Sequence, residues 1–171
     1  MDRLRQLFER DKTAIVYIYC SYKEQDCQTD SNLIASLLQQ LAQTNPLISD
    51  EILLLYNDRI EKQTRPTLDE WSRLLQAEAS QFSEIFVIID ALDECSDYTR
   101  ASLLSVIQKL PNSHLLVTSR HILTVEREFK CEFKATTSLE ICERDEDIRR
   151  YLESRIEREH RLASHVKQIL P

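Results

Sequence analysis

Glycine does not occur anywhere in the 171 residues of this chain. Average usage of about 7% would place roughly 12 glycines in that length. Glycine enters left-handed backbone without a steric penalty and lets a ligand approach the main chain closely. Its absence excludes a GxxxxGK[ST] phosphate loop, a GxGxxG dinucleotide turn and a GxSxG nucleophile elbow. Other composition is ordinary: 42% hydrophobic and 30% charged residues describe a soluble globular chain of one domain. That length can hide roughly 70% of the unfolded surface.

The 22 basic and 29 acidic residues give a net charge of -7. A nucleic-acid footprint needs a basic domain or stripe, so nucleic acid is not expected as a partner. Five cysteines, Cys20, Cys27, Cys95, Cys131 and Cys142, form no CxxC pair and are odd in number. Such scatter fits reduced thiols in a cytosolic protein better than a disulfide framework or a zinc site. No apolar run approaches the roughly 18 residues of a membrane span, and Met1 to Arg10 is charged rather than signal-like. A cytoplasmic chain without a membrane partner is expected.

Elements alternate along the chain. Asp2 to Arg10 carries Leu4, Leu7 and Phe8 at helical spacing. Ala14 to Cys20 is a β-branched and aromatic run of strand length. Ser31 is a candidate N-cap for a helix through Leu33, Ile34, Leu37, Leu38 and Leu41 that ends near Asn45-Pro46. Ser49 to Ile60 reads as helical, and Thr67-Leu68-Asp69-Glu70 fits a capping box opening a helix with Trp71, Leu74, Leu75 and Phe82. Ile85 to Ile89 suits a strand buried on both faces of a parallel sheet. A helix over Thr99–Leu110 stops at Pro111, and His114 to Thr118 forms a second buried strand. Ser138 to Ile141 is a candidate edge strand, and Asp145 to His160 is a helix with three acids in its first turn. Strands separated by helices predict an α/β fold with βαβ crossovers and a parallel sheet.

The most informative segment is Ile88-Ile89-Asp90-Ala91-Leu92-Asp93-Glu94-Cys95. Ligands of open α/β sheets bind beyond the carboxyl ends of strands, where Asp90 falls. One carboxylate there can hold a hydrated Mg²⁺ whose other ligands are nucleotide phosphates. A second acid nearby can orient water in phosphoryl transfer. The competing reading is an apolar strand that ends in a solvated acidic loop. Three neighbouring carboxylates repel one another, which favours a cation.

Phe86 to Cys95 resembles the extended Walker B motif of NACHT domains, in the STAND branch of P-loop NTPases. Leu115-Leu116-Val117-Thr118-Ser119-Arg120 resembles that family's next strand, ending in its sensor 1 arginine. AIVYIYCSYK, from Ala14 to Lys23, resembles the strand after the P-loop helix in fungal NACHT proteins, many with ankyrin or WD40 repeats. Asp147 to Leu152 is similar to the helix leaving the nucleotide-binding core. The resemblance implies a partial three-layer α/β/α fold over 1–171, truncated at the P-loop strand, with the exit helix from about 145. It implies Asp90 as the Mg²⁺-associated carboxylate, and Asp93 and Glu94 as acids that position water or couple hydrolysis to a switch. Arg120 is implied as the sensor of the γ-phosphate, a forked and permanently charged donor; the alternative is a surface arginine paired with Asp93. Implied partners are ATP or GTP with Mg²⁺, further copies of the chain, and repeat or effector domains of the same protein.

The phosphate loop of that family is missing, and neither Lys12 nor Lys23 sits at a suitable strand-to-helix turn. The expectation is therefore a switch module that does not hydrolyse nucleotide alone, with a catalytically dead interaction module as the alternative. A free-standing Mg²⁺-dependent phosphohydrolase ranks last. Other sites are weak. His114, His121, His160 and His165 contain no HExxH. Cys95 lacks a base, and the acids beside it are expected to raise its pKa. Ser119 has only His121 nearby, and Trp71 with Tyr17, Tyr19 and Tyr22 reads as core and crevice packing.

Overall fold

The structure is a computed structural model that describes residues 12–45, 49–133, 136–141 and 145–169, with 158–169 described by backbone alone. The helix expected over residues 2–10 lies outside these. Three strands, β1 (Thr13–Tyr19), β2 (Glu84–Asp90) and β3 (Ser113–Val117), form a parallel sheet in the order β1-β2-β3. Tyr19 pairs with Asp90 and Ile89 with Val117, so the carboxyl ends of the three strands lie together. The fold is α/β, as expected from the alternation of apolar runs and amphipathic helices.

Between β1 and β2 lie α1 (Asp30–Thr44), α2 (Asp50–Lys62) and α3 (Leu68–Ala79). The cap of α1 is Thr29, whose side chain accepts from the Asn32 N–H, and not Ser31. Thr29 lies outside the helix with extended backbone, where its hydroxyl faces the first free amides. The capping box of α3 is present in both halves. Helix α4 (Asp97–Ile107) begins at a Ser96 cap, two residues earlier than expected, and leads to β3. Helix α5 (Leu123–Glu132) follows β3.

One face of the sheet supplies Ala14, Val16 and Ile18 from β1 and Ile85, Val87 and Ile89 from β2 to a single core. Leu33, Ile34, Leu37, Leu38 and Leu41 of α1, Leu74 and Leu75 of α3, and Leu103, Leu104 and Ile107 of α4 complete it. Burial on both faces, expected for β2 and β3, is not observed. Phe86 and Ile88 are half-buried, while His114 and Leu116 of β3 are exposed. The helices α1, α3 and α4 bury into one core with the odd face of β2, and among the described residues β1 and β3 are the two outer strands. Phe86 and His114 stack across that other face at 5.0 Å.

The chain divides into two compact units, Met1–Ala135 and Thr136–Pro171. In the second, residues 138–141 form no strand; Leu139 and Ile141 are exposed. Among the described residues they pair with no strand, and alternation alone does not make them one. The second unit's helix α6 (Asp145–Ile169) runs beyond His160 and keeps its three acids in the first turn. No helix among the described residues is long and apolar enough to cross a membrane.

Candidate functional site

The apolar face of β2 anchors the strand in the core and delivers Asp90 to its carboxyl end, where the side chain is exposed. The chain then reverses through Ala91 at φ 55° and ψ 49°, a left-handed conformation, into the 3-10 turn Leu92–Glu94. A residue with a Cβ pays roughly 1–2 kcal/mol there. Hydrogen bonds to Thr118, the residue after β3, offset that cost. The Thr118 N–H donates to Ile89 O at 2.9 Å, and the Leu92 N–H to Thr118 O at 2.9 Å. The Ala91 N–H donates to Thr118 Oγ1 at 3.0 Å, and the Thr118 hydroxyl donates to Asp90 Oδ1.

Thr118 thus holds both the turn and the Asp90 carboxylate. In the sequence Thr118 stands only as the end of an apolar strand. Its signal was a hydroxyl residue directly after an apolar strand that runs parallel to the acidic one.

The three acids have separate partners. Asp93 has only 3% of its side chain exposed, and accepts from the Arg120 N–H at 3.0 Å and from Arg120 Nε at 2.6 Å. Burial pushes the Asp93 carboxyl up, but the hydrogen bonds and charge of Arg120 outweigh it and hold its pKa below the ordinary value. The same pairing raises the pKa of Arg120. Glu94 Oε2 accepts from the Tyr22 N–H at 3.1 Å, and Gln25 Nε2 donates to Glu94 O at 2.7 Å.

The sequence-predicted residues therefore share one strand-end surface without converging on a point. Asp93 and Arg120 form a pair, as the alternative reading of Arg120 anticipated, while Asp90 faces Thr118 and Glu94 faces the segment after β1. Among the described residues no three His, Cys, Asp or Glu side chains are grouped to hold a metal ion. Asp90 alone fits a hydrated Mg²⁺, which commonly takes one or two carboxylates.

Cys20 and Cys95 flank this surface, with their sulfurs 3.1 Å apart. The Cys95 pKa is lowered, contrary to expectation. The Cys20 thiol lowers it, and Arg100 adds to this against burial and the opposing field of Asp93. Cys20 is raised, first by that same contact and then by burial. Arg100 is itself buried and binds Glu128 through Nε at 2.6 Å and Asp97 through Nη2 at 2.8 Å, which ties α4 to α5. Tyr19 and Tyr22 are exposed at 57% and 63%, not packed in a crevice as expected, because they lie past the buried stretch of β1. A groove of about 670 Å³ lies elsewhere, between α2 and α3, and none of Asp90, Asp93, Glu94 or Arg120 lines it.

Residues 1–120 match the model of the nephrocystin 3 N-terminal family, which covers more than half of the chain and includes β1, β2, β3 and Arg120. The chain belongs to this family. The matched segment holds Asp90, Asp93, Glu94, Thr118 and Arg120, and α5 and α6 follow it. No curated protein and no solved structure matches the chain.

Proposed function

We propose that this chain is the Mg²⁺-facing and sensor-bearing half of a NACHT-type nucleotide switch, of the fungal kind associated with ankyrin or WD40 repeats. It works with ATP or GTP and does not hydrolyse either alone. The observation that carries the reading is the placement of Asp90, at the end of an apolar parallel strand and fixed by the hydroxyl of the neighbouring strand's Thr118. In open α/β sheets this is the ligand-binding edge.

Asp90 would hold Mg²⁺, which when bound neutralises phosphate oxygens. Arg120 is 75% exposed and bound to Asp93 at the adjacent strand end, so it can exchange a carboxylate for a terminal phosphate. That exchange would release the Leu92–Glu94 turn and report nucleotide to further copies or to effector domains. Cradling the phosphates requires backbone amides free of Cβ, and no glycine in this sequence supplies them.

A second reading, an interaction module that keeps the fold without catalysis, is favoured by the engagement of Asp93 and Glu94 with protein groups. Calorimetry with Mg²⁺ and ATP or GTP tests the proposal. In saturating Mg²⁺ the 171-residue chain is expected to give no heat of nucleotide binding. Tight binding that disappears in Asp90→Ala would overturn the claim that the chain is incompetent alone. Joined to a phosphate loop, it is expected to bind and to lose binding in Asp90→Ala; failure to bind would favour the interaction module.

A further inference from the structure

Neither sulfur of the Cys20–Cys95 pair has a role in the nucleotide reading, yet the fold brings them together from positions 75 residues apart. Cys20 directly follows β1, and its N–H donates to Asp90 O at 3.0 Å, continuing the β1–β2 ladder. Cys95 closes the turn after β2 through its N–H to Leu92 O. Both are nearly buried, at 7% and 5% exposure. A disulfide needs sulfurs about 2.05 Å apart, so closing the 3.1 Å gap takes a side-chain movement of about 1 Å. Cys27 and Cys131 are exposed.

We propose that Cys20 and Cys95 form an oxidation site for small hydroperoxides, closing to a disulfide that staples the end of β1 to the Asp90–Glu94 turn. The burial that excludes bulky oxidants leaves hydrogen peroxide as the fitting class of oxidant. Arg100, with Nη1 3.5 Å from Cys95 O, favours Cys95 as the sulfur that carries negative charge in the attack. The Cys95 thiol gives up its proton and its sulfur attacks one peroxide oxygen. The O–O bond breaks, and the departing hydroxide takes that proton to become water. Cys20 sulfur then attacks the Cys95 sulfenic acid. The S–S bond forms as the S–O bond breaks, and the leaving hydroxide takes the Cys20 proton as a second water. Two thiols are oxidised and one peroxide is reduced.

Peptide mapping after graded hydrogen peroxide, unfolding and alkylation tests this on the whole chain. The expected product is a Cys20–Cys95 cross-linked peptide pair, lighter by two hydrogen atoms, formed at lower peroxide than any oxidation of Cys27 or Cys131. Its melting temperature should rise by about 5 °C or more and return on reduction with dithiothreitol. In Cys20→Ser the cross-link should be replaced by a Cys95 sulfenic acid trapped by dimedone. The proposal is overturned if Cys20 and Cys95 stay alkylatable at peroxide levels that oxidise Cys27 and Cys131, or if either cross-links elsewhere. Because the wild-type map needs no variant, a Cys20→Ser chain that fails to fold leaves the test intact.

Discussion

Ala91 shows what a chain without glycine does at a sharp reversal. Four non-glycine residues among those described take positive φ: Lys12, Gln63, Ala91 and Asn112. Asparagine tolerates this conformation, but the others meet the Cβ clash directly. At Ala91 the bonds to Thr118 hold the turn that carries the acids. At Gln63, past the end of α2, the φ of 51° turns the chain so that the Thr64 N–H reaches Arg59 O at 3.1 Å. Gln63→Gly is therefore expected to stabilise the protein by about 0.5–1 kcal/mol in urea denaturation, after the greater entropy of glycine in the unfolded chain is counted.

Asp93 makes the opposite kind of prediction. Its carboxyl is held below the ordinary value of about 3.9, so its contribution is fully present above that pH. It is lost as pH falls through the ordinary value and then through the folded one. Asp93→Asn should lower the urea midpoint at neutral pH and flatten its decline at acid pH. A decline as steep as in the wild type would mean that another group carries the acid sensitivity.

The elements differ in how far their own residues determine them. Strands β1 and β2 were legible because each is an unbroken β-branched and aromatic run, and α3 because Thr-x-x-Glu can satisfy two free amides at once. Thr67→Ala removes one of those bonds and should cost about 1 kcal/mol, read from the denaturation midpoint. Helix α5 was not legible. Its N-cap position is Ile122, with no side-chain cap bond, and among its apolar residues only Val125 is fully buried. Val125 and Phe129 pack it on the core, and Arg100 of α4, which no local pattern pairs with Glu128, ties it to the neighbouring helix. Arg100→Ala should cost about 2–3 kcal/mol, because it removes a buried side chain and both of its ion pairs. The site divides the same way. The strand-end position of Asp90 follows from hydrophobic pattern, whereas the grip of Thr118 and the Cys20–Cys95 contact depend on chain segments that meet only after the sheet forms.

At the scale of the whole molecule, β1 to β3 and their helices form one compact unit, Met1–Ala135, that contains every residue assigned to the site. A chain ending at Ala135 should therefore unfold cooperatively, measured by circular dichroism. On the proposed reading, the parallel sheet presents Asp90 to a divalent cation. Paramagnetic broadening of backbone amide signals by Mn²⁺, standing in for Mg²⁺, tests this most directly. The amides of Ala91, Leu92 and Thr118 should broaden at lower Mn²⁺ than those of the acidic first turn of α6, and Asp90→Asn should abolish the difference. Broadening that reaches the α6 turn first, or that Asp90→Asn leaves unchanged, would contradict the claim.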